Sequence, residues 1–130
     1  MEGIFTGSEE AIAMAVMYTA SHMKVRAIVA LTESGATPLY MSRIRADIPI
    51  YAFTPHEATR GRVTLYRGVY PVIFDGTGTA TPERAYHLIF ARLLDFKLVE
   101  HGDLVILTKG ERFGVEGGTN SLQVLTVALD

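Results

Sequence analysis

The 130 residues are a single-domain length with enough chain to bury a proper core, and the sequence reads as one domain over 1–130. Apolar residues make up 48% and charged residues 20%, with both signs interspersed, which excludes a disordered chain. A formal net charge of -2 excludes the general attraction to nucleic acid or anionic membrane that an excess of Lys and Arg provides, and the lack of cysteine removes disulfides, thiolate zinc sites and thiol nucleophiles while fitting a reducing, cytoplasmic compartment.

Glu2, Glu9 and Glu10 stand where a secretory leader needs positive charge, and no apolar run reaches membrane-spanning length, so the apolar stretch Ala11 to Ala20 reads as a buried helix. That helix runs from Ser8 to about His22, with Ile12, Val16, Thr19 and Met23 spaced to pack on a sheet. Ala27 to Leu31 is a continuous apolar run between charged residues, the pattern of a strand covered on both faces. Ile50 to Phe53, Val69 to Phe74, Leu104 to Leu107 and Ser121 to Ala128 read as further strands. Thr37-Pro38, Thr54-Pro55 and Thr81-Pro82 each place a capping hydroxyl before a first-turn proline, and Glu57 completes a capping box with Thr54. The helices so begun extend from Pro38 to Arg45, Pro55 to Arg67 and Pro82 to Lys97, each between two strands, as in a mostly parallel sheet with helices on both faces.

Pro71 cannot donate to a ladder, so the third strand belongs at an edge, while the two most apolar strands, the first and fourth, belong in the middle. About a dozen residues from Lys109 to Asn120, with four glycines, separate the last two strands; this is too short for a parallel crossover, so the fifth strand returns antiparallel. The expected fold class is α/β, a three-layer α/β/α sandwich on a five-stranded sheet of order 3-2-1-4-5. The order reverses between strands one and four, and ligands of open α/β sheets bind beyond the strand ends at such a point. Two segments emerge there, Thr32 to Thr37 and Lys109 to Asn120.

Thr32-Glu33-Ser34-Gly35-Ala36-Thr37 offers three hydroxyls, a flexible glycine and a helix start, which together suit a phosphate; equally, Thr37 can simply cap its helix and Gly35 simply turn the chain. The absence of a following Gly-Lys-Ser/Thr excludes a Walker loop. In the second segment Gly117, Gly118, Thr119 and Asn120 bring backbone N–H groups, a hydroxyl and an amide, with Lys109 and Arg112 adding charge, or else form a plain glycine-rich hairpin loop. Gly76 to Ala80 reads as a linker loop. His22, His56, His87 and His101 lack metal-ligand spacing, Ser34 lacks a nucleophile-elbow context, and no paired carboxylates stand out, so neither a metal site nor a catalytic site is expected in this chain. Glu33 and Glu116 would repel a phosphate unless turned outward, or unless Glu116 accepts from a sugar hydroxyl. Arg60, Arg62 and Arg67 read as a solvated face or a subunit salt bridge.

The words Glu10-Ala11-Ile12-Ala13-Met14, Tyr18-Thr19-Ala20, Ala30-Leu31-Thr32-Glu33-Ser34-Gly35, Met41-Ser42-Arg43-Ile44, Leu65-Tyr66-Arg67-Gly68-Val69, Gly102-Asp103-Leu104-Val105-Ile106 and Gly118-Thr119-Asn120 resemble, in order and spacing over nearly the whole chain, the C-terminal domain of pyruvate kinases, and are closest to bacterial forms that respond to sugar monophosphates or nucleotides. The resemblance implies a glycolytic phosphotransferase parent, a cytoplasmic homotetramer, in which this domain is regulatory and phosphate transfer from phosphoenolpyruvate to ADP, with Mg2+ and K+, belongs to a barrel domain absent here. It also implies that Thr32, Ser34, Gly35 and Thr37 hold the effector phosphate while Gly117, Gly118, Thr119 and Asn120 close over the sugar. Ala36 departs from the pattern, since many relatives carry Arg or Lys there, so a monophosphate is expected over a bisphosphate. Alternatives are an assembly domain whose apolar edge Ser121 to Ala128 pairs with a partner, a free-standing relative with no effector, or a small enzyme acting on phosphorylated substrates with Glu33 as its acid–base group.

Overall fold

Runs of Val, Ile, Leu and aromatic residues become strands because they can pack apolar side chains on both faces, and the segments between them wind into helices that cover those faces. The computed structural model describes residues 7–44, 47–75, 81–110 and 119–129. In chain order the elements are α1 (Ser8–His22), β1 (Ala27–Leu31), α2 (Ala36–Ser42), β2 (Ile50–Thr54), α3 (Glu57–Val63), β3 (Val69–Ile73), α4 (Pro82–Asp95), β4 (Leu104–Gly110) and β5 (Thr119–Thr126). The sheet has the order β3-β2-β1-β4-β5. Strands β1 to β4 run parallel and β5 runs antiparallel to β4, as the sequence predicts.

Every residue of β1 and β2 is buried, and alternation sends their side chains into two separate cores. On one face Ile28, Ala30, Ile50, Ala52 and Ile106 meet Val16 of α1, Met41 of α2 and Val63 of α3. On the other, Val29, Tyr51, Phe53, Val105 and Leu107 meet Ile89, Phe90 and Leu93 of α4. Each fully buried Val, Ile, Leu, Phe or Met side chain among these stabilises the fold by about 1.5–3 kcal/mol. Two polar contacts tie α4 to the sheet edges: Arg92 donates to the Ile73 carbonyl at 3.0 Å, and the Tyr86 hydroxyl donates to Gln123 at 2.7 Å. Pro71 sits in β3, the edge strand, where its missing N–H leaves no gap in a ladder. Among the described residues no helix is long and apolar enough to cross a membrane.

Several local expectations need correction. α1 buries Ala13, Val16, Met17 and Ala20, with Met23 left 41% exposed, so its packed stripe is rotated from the one through Thr19 and Met23. α2 starts at Ala36 behind Gly35, and Thr37 lies inside the helix instead of capping it. Pro38 is tolerated at the third helical position because the first four helical N–H groups have no intrahelical partner. α3 starts at Glu57 behind His56, so no capping box forms; Thr54 Oγ1 instead accepts from the His56 N–H at 3.2 Å, and Glu57 pairs with Arg60 at 2.8 Å. Only Thr81 caps as expected, accepting from the Arg84 N–H at 3.2 Å with Pro82 in the first turn. The helix ends expected at Arg45, Arg67 and Lys97 fall at Ser42, Val63 and Asp95. β4 continues to Gly110 and β5 begins at Thr119, two residues before the expected start, ending at Thr126.

Candidate functional site

β1 delivers the chain to a turn that caps itself. Thr32 Oγ1 accepts from the Gly35 N–H at 2.8 Å, and Ser34 Oγ accepts from the Ala36 N–H at 3.2 Å. Gly35 has φ 87, left-handed backbone that a residue with a Cβ adopts at a cost, and this reversal lets α2 begin one residue later. Any Cβ at Gly35 would stand 3.0 Å from Val63 Cγ1, so the turn lies directly on α3.

Helix α3 and the residue before it reach back to the turn with three side chains. Thr59 Oγ1 donates to the Glu33 carbonyl at 2.6 Å. An Arg62 guanidinium nitrogen donates to the Ser34 carbonyl, also at 2.6 Å. His56 Nε2 contacts Glu33 Oε1, which anchors the carboxylate that the sequence left without a role beside an anion. Ser34 Oγ is engaged by the Ala36 N–H and not by His56, so among the described residues Ser34, His56 and Glu33 form no nucleophile–base relay.

Two threonines are buried with unpaired hydroxyls. Thr37 is 1% exposed and Thr108 is 0% exposed, and among the described residues neither Oγ1 has a hydrogen-bond partner. Thr108 lies beside Ala30 of β1 and Leu122 of β5. Strand alternation puts it on the same sheet face as Ile106, the face that carries α1, α2 and α3. Both hydroxyls therefore belong to the layer of the turn, toward the carboxyl ends of the parallel strands. A buried hydroxyl left unpaired costs about 1–3 kcal/mol.

Thr32, Glu33, Ser34, Gly35, Ala36 and Thr37 are thus brought together in one turn. Gly117 and Gly118 lie outside the described residues, as do Arg112, Glu116 and the Gly76 to Ala80 stretch. Thr119 and Asn120 open β5, with Thr119 opposite Gly110, so they are strand residues and not loop. Lys109 is a strand residue as well: its ammonium lies 5.1 Å from the centre of the Tyr86 ring, on the α4 layer and away from the layer of the turn. His56, Thr59 and Arg62 are the residues that sequence reasoning missed. They lie 23, 26 and 28 positions from their partners, beyond any local spacing rule.

The opposite end of the sheet holds a concavity of about 430 Å³, lined by Arg26, Asp47, Pro49, Tyr51 and Lys97 among others. Burial, helped by the neighbouring Tyr70 and opposed by Arg26, raises the Tyr51 phenol above its ordinary 10.0. Among the described residues no group of three or more His, Cys, Asp or Glu could hold a metal ion.

Similarity to known proteins follows the same lines. The family model for the pyruvate kinase alpha/beta domain matches residues 10–125. Pyruvate kinase II of Salmonella typhimurium is 45% identical over 126 residues, covering 95% of this chain and 25% of that relative. The pyruvate kinase of Haemophilus influenzae is 39% identical over 128 residues, covering 98% of this chain and 26% of the relative. That of Staphylococcus saprophyticus is 34% identical over 119 residues, covering 92% and 20%. The chain spans a quarter or less of the length of most of these relatives, at 25%, 26% and 20%.

Proposed function

The chain belongs to the pyruvate kinase alpha/beta-domain family, and from that premise we propose that it is the regulatory domain of such an enzyme and takes a phosphorylated small molecule at the β1–α2 turn. One observation carries the reading. The switch-point turn presents Thr32, Ser34 and the Gly35 reversal next to a fully buried Thr37 whose hydroxyl lacks a partner among the described residues. Neutral donors and a missing acceptor at that point of an α/β sheet suit a phosphate. The turn from Thr32 to Thr37 contains no Lys or Arg and one carboxylate, so a sugar monophosphate or nucleotide fits better than a bisphosphate. Glu33 and Ala36 complete the wall, and Gly117, Gly118, Thr119 and Asn120 cover the sugar in this reading.

The effector acts by binding one state of the parent enzyme more tightly than the other. In the parent, phosphate transfer from phosphoenolpyruvate to ADP, with Mg2+ and K+, takes place in a catalytic domain outside this chain. A second reading, subunit assembly, is favoured by β5: it is an eight-residue edge strand with Val124 37% exposed. Sedimentation at high concentration tests it, and a strictly monomeric chain would count against it.

Calorimetric titration with glucose 6-phosphate, ribose 5-phosphate, fructose 1,6-bisphosphate and AMP tests the main reading. At least one monophosphate should bind, and at a hundredfold excess over its dissociation constant should stabilise the fold by about 2.7 kcal/mol. No heat and no thermal shift with all four would refute it.

A further inference from the structure

The turn that would take a phosphate carries no cation of its own, yet a guanidinium sits against it. Arg62 donates one N–H to the Ser34 carbonyl at 2.6 Å. A guanidinium presents five N–H donors in a planar fork, so donors beyond the one used on Ser34 remain available for an oxyanion bound at the same turn. Thr59 fixes the adjoining carbonyl, that of Glu33, at 2.6 Å, and His56 engages the Glu33 carboxylate. The other charged groups of α3 are accounted for, since Glu57 pairs with Arg60. Val63 closes the contact from below Gly35, and it is 0% exposed, so the helix cannot drift without opening the core.

We propose that helix α3, and not the turn itself, supplies both the positive charge and the fixed geometry of the anion site: Arg62 is a ligand-binding residue, and His56 and Thr59 are positioning residues. The proposal rests on the reading that the turn takes a phosphorylated ligand, which it deepens. It assigns a role to an arginine that would otherwise be an ordinary solvated side chain. It also gives the Glu33 carboxylate a fixed place beside the turn, held by His56.

Two measurements on the whole chain test it. The first is hydrogen exchange at the Gly35 and Ala36 amides without ligand, in wild type and in Thr59→Val. Loss of the Thr59 bond should loosen the turn and speed exchange at both amides by about tenfold or more, as expected for a hydrogen bond of ordinary strength. The second is the affinity for ribose 5-phosphate and for inorganic phosphate in Arg62→Gln and Arg62→Lys. Arg62→Gln should weaken binding by about tenfold to a hundredfold and flatten its salt dependence. Its melting temperature should stay within about 2 °C of wild type, because the side chain is exposed. Arg62→Lys should recover part of the affinity, which a purely structural role would not produce.

Unchanged affinity in Arg62→Gln overturns the assignment of charge to α3, and unchanged exchange in Thr59→Val overturns the clamp. If the wild-type chain binds neither phosphate, ribose 5-phosphate nor any of the other three compounds titrated above, the effector reading fails together with the role of Arg62 as a ligand contact, while accelerated exchange in Thr59→Val still upholds the clamp.

Discussion

Replacing Gly35 by alanine tests the turn through two costs that the structure separates. The first is conformational: φ 87 is left-handed, and a Cβ there costs about 1–2 kcal/mol. The second is steric, since the new Cβ would lie 3.0 Å from Val63 Cγ1, with Thr59 Cγ2 at 3.5 Å and the Tyr66 hydroxyl at 3.7 Å. Val63 is wholly buried in the core beneath α2 and α3, so it cannot swing into solvent to make room. Crowding of that kind adds about 1–3 kcal/mol, for a total near 2–5 kcal/mol. Gly68 and Gly102 serve as internal controls: their φ values are 74 and 94, and a Cβ at either meets nothing within 4 Å. Urea unfolding at 25 °C should therefore give Gly68→Ala and Gly102→Ala losses of about 1–2 kcal/mol each, with Gly35→Ala clearly larger at an unchanged m-value. Equal losses at all three glycines would show that the turn does not press on α3, and the account of the clamp would fail with it.

Thr37→Val replaces an unpaired buried hydroxyl with a methyl, so the ligand-free fold should be unchanged or stabilised by up to about 1 kcal/mol while affinity for a phosphorylated ligand falls; a ligand-free loss above about 1 kcal/mol would mean the hydroxyl already has a structural partner. Thr81→Ala removes the cap on α4, the helix that covers one whole face of the sheet, and should cost about 1 kcal/mol by denaturant melt; no loss would mean that the Arg84 N–H is satisfied without it. Tyr51 sets an alkaline limit. Because its folded pKa lies above 10.0, the unfolded chain gives up the proton first, so stability is intact below pH 10 and declines as pH rises through the folded pKa. Tyr51→Phe should remove that part of the decline in melts taken above pH 10, and an unchanged alkaline slope would contradict the assignment.

What the sequence makes legible follows from where the determinants lie. Pro71 alone places β3 at an edge, because one missing donor forbids a central position. The unbroken apolar run Ala27 to Leu31 places β1 in the middle, and the short glycine-rich link before β5 requires an antiparallel return. The turn from Thr32 to Thr37 is legible as well, since topology brings it to the switch point whatever its contacts. Helix starts were less legible. Thr-Pro pairs look alike in sequence, yet Thr37 is pulled into α2 by the Gly35 reversal, Thr54 caps only the bend at His56, and Thr81 alone is a true N-cap. The contacts of His56, Thr59 and Arg62 with the turn are illegible in principle from one sequence. They depend on how β2 and α3 return beside β1, which is a property of the folded sheet and not of any spacing along the chain.

The most direct test of the central claim is a map of amide chemical-shift changes on titrating the isotopically labelled chain with a sugar monophosphate. The largest changes should fall on Gly35, Ala36 and Thr37, with Thr108 and Arg62 following them at the same apparent affinity. Changes confined to the concavity at the other end of the sheet, around Arg26, Tyr51 and Lys97, would place the ligand elsewhere and contradict the account.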